Sequence, residues 1–197
     1  MFPSTSVPEN SVTLSAPGRR IVIIGTTGSG KTTLASRLAH YLGAPHIELD
    51  AVHWGPQWTP VPTDVFRERI AEMLASDTWV VDGNYSEVRD IVWQHADTII
   101  WLDFSLSLIL LRLLRRTIGR VFLRRELWNG NRERFITQFF SRDSLFLWAI
   151  NNYHRRRREY PQIFARPEFA GLTIIHLTSP RRVRRWVAAL TKPSMTR

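Results

Sequence analysis

The chain has 197 residues, 44% of them hydrophobic, which suits one domain with a sizeable core and leaves no room for two full domains with linkers. It has no cysteine, so disulfides, thiolate metal sites and cysteine nucleophiles are excluded. The net charge of +10 is uneven: residues 1–111 carry 7 Lys and Arg against 12 Asp and Glu, whereas residues 112–197 carry 20 against 5.

Residues 1–18 are polar and rich in Pro, Ser and Thr, with neither a basic start nor a long apolar stretch, and read as a disordered tail rather than a signal peptide. Ile21 to Ile24 is a continuous apolar, β-branched run, as in a strand buried on both faces. Gly25 to Gly30 forms a glycine-rich turn, and a helix follows from Lys31 with Leu34, Leu38 and Tyr41/Leu42 on its inner face, closed by Gly43 and Pro45. His46 to Asp50 reads as a second strand. The stretch Ala51 to Pro62, with its prolines and tryptophans, reads as a structured loop. A helix is expected from Asp64 to Ser76, with Thr63 as N-cap and Phe66, Ile70, Met73 and Leu74 inward.

Trp79 to Asp82 is the third expected strand, a short helix capped by Ser86 follows, and Thr98 to Leu102 is the fourth strand. Asp103 reads as the cap of a helix from Ser105 to Ile118. The apolar run Phe104 to Leu114 is interrupted by Arg112 and is too short to cross a bilayer, so a cytoplasmic protein is expected. Gly119 to Arg134 is basic and irregular, and a long helix covers Phe135 to Glu159 until Tyr160-Pro161 ends it. Leu172 to Leu177 is the fifth strand. Ser179-Pro180 opens a last helix to Leu190, and residues 192–197 form a tail. Strands alternating with helices imply an α/β fold with a parallel sheet, whose ligands sit at the carboxyl ends of the strands.

Those ends carry the chemistry. Gly25-Thr26-Thr27-Gly28-Ser29-Gly30-Lys31-Thr32 fits G-x-x-x-x-G-K-[ST] between an expected strand and an expected helix, the context this phosphate-binding loop requires. Glycines let backbone N–H groups approach phosphate oxygens, and the helix adds the positive end of its dipole. Lys31 would reach the β- and γ-phosphates of ATP, Thr32 would offer its hydroxyl to Mg2+, and Thr33 would complete the cradle. Asp82, at the end of the third strand, would hold Mg2+ through water. Asp50, at the end of the second, would bind a metal water or act as base on an acceptor hydroxyl.

A P-loop followed by Asp82-Gly83 after the third strand, and by arginines after the fourth, resembles the nucleoside-monophosphate-kinase and shikimate-kinase superfamily. His46-Ile-Glu-Leu-Asp50-Ala-Val-His-Trp54, a later Trp58 and Trp79-Val-Val-Asp82-Gly83-Asn84-Tyr85 are more specifically similar to the adenylate-kinase-related proteins called DNA topology modulation proteins. The resemblance covers residues 20–190. It implies a P-loop NTPase three-layer α/β/α sandwich over 19–191 with five strands in the order 2-3-1-4-5. It also implies a substrate-binding segment near 51–76 and a mobile lid near 119–134. It departs from adenylate kinases after Asp82-Gly83, where Asn84-Tyr85-Ser86 replaces their Phe-Pro-Arg and the first arginine is Arg89.

Arg112, Arg116 and Arg120 repeat at four-residue spacing. Arg116 or Arg120 would stack on the nucleotide base or touch phosphates if this helix packs as the superfamily's does. Of the lid arginines Arg124, Arg125, Arg132 and Arg134, one would stabilise charge on closure, with Arg132 as the candidate. Arg155 to Arg158 read as solvated, or as favourable to a helix C-terminus. His53, Trp54, Asn84 and Tyr85 are candidate contacts to a small acceptor. The expected function is ATP-dependent phosphoryl transfer to such an acceptor. The alternative is a nucleic-acid-associated NTPase or binding protein that uses the basic half.

Overall fold

The computed structural model describes residues 16–122 and 145–191. Its elements are β1 (Arg20–Gly25), α1 (Lys31–Leu42), β2 (His46–Glu48), α2 (Leu49–His53), α3 (Thr63–Met73), β3 (Trp79–Asp82), α4 (Arg89–His95), β4 (Thr98–Leu102), α5 (Leu106–Phe122), α6 (Leu145–Phe164), β5 (Thr173–Leu177) and α7 (Pro180–Leu190). Single 3-10 turns lie at Pro56–Trp58, Ser86–Val88 and Pro167–Phe169. The strands form one parallel sheet in the order β2-β3-β1-β4-β5, as the resemblance implies. β1 is its middle strand and is buried along Ile21 to Gly25, which explains why the run is apolar on both faces.

Two cores flank the sheet. Ile21, Ile23 and Val80 pack with Leu34 and Leu38 of α1, Ile109 and Leu113 of α5, and Trp186 of α7. Val22, Ile24 and Val81 face the other way, against Phe66 and Ile70 of α3 and Val92 and Trp93 of α4. Helix α6 belongs to both cores: Ala149 and Tyr153 join the first, Tyr160 and Ile163 the second. At 1.5 Å per residue, its path from one core to the other is about 20 Å long. This helix therefore passes from one layer to the other.

Several expectations are corrected. β2 stops at Glu48, in register with Asp82, and Asp50 lies in the one-turn helix α2 rather than at a strand end. The chain turns there because Leu49 tucks over Gly83, where a Cβ would come within 2.7 Å of Leu49 Cβ. Thr63 is the first residue of α3 rather than its cap, and Met73, the last, is exposed while Leu74 is buried. Tyr41 is exposed and donates its hydroxyl to the Leu190 carbonyl.

α5 runs through Gly119 to Phe122, so the first four residues of the expected lid are helical; 123–134 lie outside the described residues. A single glycine costs a helix only about 1 kcal/mol. Pro161 does not end α6, which continues to Phe164. Phe164 packs against the rings of Trp93, Trp101 and Tyr160, and this aromatic burial outweighs the lost helical N–H. At α7, Ser179 caps the helix by accepting from the Arg182 N–H, with Pro180 next. Of the expected tail at 1–18, residues 1–15 lie outside the described residues, as do 192–197, whereas the Gly18 N–H donates to Thr98 Oγ1 at 2.9 Å.

Candidate functional site

The 25–32 loop joins the end of the middle strand to α1. Gly25 (φ 152°), Gly28 (φ 79°) and Gly30 (φ 93°) take conformations closed to most L side chains. A Cβ on Gly25 would lie 2.6 Å from the Leu102 carbonyl oxygen, because β1 and β4 are paired there. The loop closes on itself through Ser29 N–H to the Thr26 carbonyl, 3.0 Å. Gly30 begins α1 with no side-chain cap, so the first-turn N–H groups of Lys31, Thr32 and Thr33 are left for a ligand. Ser29 Oγ is buried and lacks a hydrogen-bond partner among the described residues. An uncapped helix start, a buried unpartnered hydroxyl and a lysine in one turn fit a bound phosphate chain.

Lys31 lies over the loop, its Nζ 3.5 Å from the Thr26 carbonyl. Burial pushes its pKa down to about 8. The carboxylates of Asp50 and Asp82 pull it back up, and Arg156 and Arg116 lower it further. Thr32 Oγ donates to Asp82, 2.7 Å, and to Glu48, 3.3 Å. Asp82 is buried and is also held by His46 Nε2 at 2.7 Å. That hydrogen bond raises the His46 pKa above its ordinary value. Thr32, Glu48 and Asp82 offer oxygen donors only, which suits a hard cation such as Mg2+.

Asp50 stands across from Lys31 and accepts from the Tyr85 hydroxyl at 2.7 Å. Burial first, then the Asp50 charge, pushes the Tyr85 pKa far up, so the phenol keeps its proton. His53 packs edge-on against Trp54 and Phe66 and tilts against Tyr85, and burial lowers its pKa. Trp54 meets Trp58 edge-on at 5.8 Å. The Asn84 amide is turned toward the loop instead: it donates to the Gly25 carbonyl and accepts from the Gly25 N–H at 3.2 Å, with Tyr160 beside it.

A cleft of about 590 Å³ opens over the loop. Glu48, Asp50, Arg112, Arg116, Pro180 and Arg184 are among the residues that line it. Lys31, Thr32 and Asp50 line it; His53, Trp54, Asn84 and Tyr85 do not. Arg112 donates to the Ser29 carbonyl, 3.0 Å, and lies over the Phe104 ring. The side chain of Arg120 and all of Arg124, Arg125, Arg132 and Arg134 lie outside the described residues.

Three groups escape the sequence reading. Glu48 and His46 point to the Thr32 side of β2, and the alternation of strand side chains around buried Ile47 was the signal for both. Arg156 is the third: it is buried, not solvated, and its Nη1 lies 3.4 Å from the Gly25 carbonyl. Asp103 is also corrected. It does not cap α5 but is buried against Arg157 and His176. Arg89, partly buried over Trp93, lies by Asn84 and Tyr85 and close enough to Arg156 to lower its proton affinity.

A G-x-x-x-x-G-K-T loop at the carboxyl end of the middle strand of a 2-3-1-4-5 parallel sheet defines a P-loop α/β fold. Among solved structures the chain is similar to shikimate kinase from Bacteroides thetaiotaomicron, at 16% identity and a TM-score of 0.53, covering 87% of this chain and 96% of that one. It is likewise similar to shikimate kinase from Acinetobacter baumannii in complex with shikimate, at 14% identity and a TM-score of 0.51, covering 87% and 90%. These likenesses show the P-loop kinase fold. Over 88 residues the chain is 34% identical to the fatty acid ABC transporter ATP-binding/permease proteins of Mycobacterium bovis and Mycobacterium tuberculosis. That match covers 44% of the chain, which spans 13% of the length of those two proteins. No known family's sequence profile matches the chain. Among the described residues no helix is long and apolar enough to cross a membrane.

Proposed function

We propose that the protein is an ATP-dependent phosphotransferase of the cytoplasm, acting on a small hydroxyl-bearing acceptor. The observation that carries this reading is that the uncapped start of α1, Lys31, Thr32 and Asp50 line one cleft of about 590 Å³. Its subtype is the adenylate-kinase-related one named above. In support, the two segments behind that resemblance meet, Tyr85 bonding Asp50 and its ring lying against His53.

In this reading residues 25–33 hold the phosphate chain and Lys31 takes charge from the β- and γ-phosphates. Thr32, with Asp82 and Glu48 through water, would hold Mg2+, which supplies charge neutralisation on those phosphates. Asp50 accepts the proton of the acceptor hydroxyl, its carboxylate aimed by Tyr85. Arg116 borders the nucleotide, with Arg120 one turn on, and Arg132 from the proposed lid at 119–134 adds charge on closure. The segment 51–76 with His53 and Trp54, and the neighbouring Asn84 and Tyr85, are the proposed acceptor side; they lie outside the cleft lining, with Tyr85 bonded to Asp50, which does line it.

The deciding experiment measures ADP release from MgATP against a panel of hydroxy acids, nucleoside monophosphates, neutral polyols and duplex DNA. Acceleration by one of the small hydroxyl-bearing acceptors, with a phosphorylated product, is expected; acceleration by DNA alone would replace this reading. One observation favours that second reading: Arg181, Arg182, Arg184 and Arg185 are all exposed on α7. A nucleic-acid role would show as duplex binding that weakens steeply with salt.

A further inference from the structure

Helix α6 crosses the carboxyl ends of β1 and β4 on its way from one core to the other, and two consecutive arginines grip those two ends. Arg156 reaches the Gly25 carbonyl of β1. Arg157 Nε lies 3.0 Å from both carboxylate oxygens of Asp103, the residue after β4. Gly25 and Leu102 are paired in the sheet, so both contacts sit at one height on neighbouring strands, which run about 4.8 Å apart. Asp103 is itself fixed: its N–H donates to the Leu177 carbonyl, and His176 Nε2, stacked on Trp101, lies 3.1 Å from its Oδ2. Arg157 is steadied in turn by the Tyr153 hydroxyl at 2.9 Å.

This anchorage answers an electrostatic problem. Arg156 is a buried cation close enough to Lys31 to lower its pKa, so the two repel, and Arg89 adds to the repulsion. Tyr153, Tyr160 and Ile163 seat α6 in the two cores, and the Arg157–Asp103 ion pair opposes the remaining push on Arg156 at the strand ends. Neighbouring side chains on a helix point about 100° apart, so fixing Arg157 on Asp103 fixes the direction of Arg156.

We propose that Asp103 is a positioning residue: through Arg157 it holds α6 so that Arg156 stays against Gly25 at the base of the phosphate loop. The proposal rests on the phosphotransferase reading for its catalytic consequence alone; the placement of Arg156 can be tested without turnover.

The test is a double-mutant cycle on the full chain, using MgATP hydrolysis without acceptor. Asp103→Asn and Arg156→Gln should each lower kcat about tenfold while KM for ATP changes less than twofold, and the pair should be no slower than Arg156→Gln alone. A merely structural Asp103 would give effects that multiply, and that result overturns the proposal. Arg157→Lys, which keeps the charge, should recover most of the rate lost in Arg157→Gln and guards against an Asp103→Asn protein that folds poorly. Amide hydrogen exchange on the nucleotide-free protein gives the independent arm: Asp103→Asn should speed exchange at Gly25 and at 153–158 while the α3 amides stay unchanged. If wild type neither binds nor hydrolyses MgATP, the phosphotransferase reading falls and this arm alone decides the clamp. Unchanged exchange at Gly25 refutes it.

Discussion

Lys31 is charged in a place that, without a ligand, resists charge. Burial pushes its pKa from 10.5 down to about 8, even with Asp50 and Asp82 pulling the other way. Phosphate groups on the loop would favour the ammonium, so a nucleotide that binds above this pH must bring a proton with it. With a free-protein pKa of about 8, roughly one lysine in ten is neutral at pH 7 and about nine in ten at pH 9. MgATP affinity should therefore fall about tenfold between those pH values, with about 0.9 proton taken up per nucleotide bound at pH 9. Titration calorimetry in two buffers of different ionisation enthalpy reads both quantities. Lys31→Arg should bind with little pH dependence over this range, because a guanidinium keeps its proton. Equal uptake at pH 7 and 9, or the same fall in Lys31→Arg, would refute the reasoning. The sign for folding is opposite. A native pKa below the unfolded one means that charged Lys31 opposes folding below pH 8, a penalty that fades as pH rises toward 10.5. Lys31→Met should accordingly melt higher than wild type at pH 7, with the gain lost by pH 10.5.

Gly25→Ala should destabilise by about 2 kcal/mol or more and abolish nucleotide binding, since its Cβ would lie 2.6 Å from the Leu102 carbonyl oxygen; thermal melting and a binding isotherm check both. Asp82→Asn should weaken Mg2+-dependent nucleotide binding at least tenfold while metal-free binding changes little, as it withdraws the carboxylate shared by Thr32 and His46. Because Asp82 raises the His46 pKa, the pair contributes stability that is full below pH 6.5 and is lost as pH rises through the native value; His46→Ala should cost more at pH 6 than at pH 9 in denaturant melts. Asp50→Asn should cut acceptor-dependent turnover by about a hundredfold or more with MgATP affinity nearly unchanged, and Trp54→Ala should mainly raise the acceptor KM; loss of MgATP binding in Asp50→Asn would make Asp50 a metal residue instead.

The loop and the order of elements were legible because their causes are local. A buried apolar strand, three glycines in positive φ and a lysine at a helix start all fall within residues 21–33. Asp82 was legible because an apolar strand delivers it. What the sequence hid depends on which face an element turns toward its neighbours. Four consecutive arginines, 155–158, cover a full helical turn, so any helix carrying them and packing against a core must bury one. The helical period gives that much, but only the crossing path of α6 picks Arg156. The end of β2 was misjudged because Leu49 continues the apolar pattern of a strand while packing over Gly83 in a helix. Pro161 misled for a similar reason: a local rule about a missing N–H lost to the burial of Tyr160 and Phe164 among Trp93 and Trp101.

The uneven charge finds its place in the cleft. The acidic half lines it with Glu48 and Asp50, with Asp82 behind Thr32, and the basic half lines it with Arg112, Arg116 and Arg184, with Arg156 against the Gly25 carbonyl. The crossing of α6 brings the second half onto the strand ends of the first. A polyanion carrying a cation meets both signs of charge in such a site, carboxylates beside Thr32 for the cation and arginines for the bare phosphates. The same polarity explains the apparent waste of placing Lys31 and Arg156 near each other. On the proposed reading, a phosphate chain on the loop offsets the repulsion between Lys31 and Arg156, which then adds to the difference between empty and filled states. On the proposed reading, that difference makes the loop selective for a polyphosphate over a single phosphate. Tripolyphosphate should therefore protect the protein against thermal unfolding far more than the same concentration of inorganic phosphate.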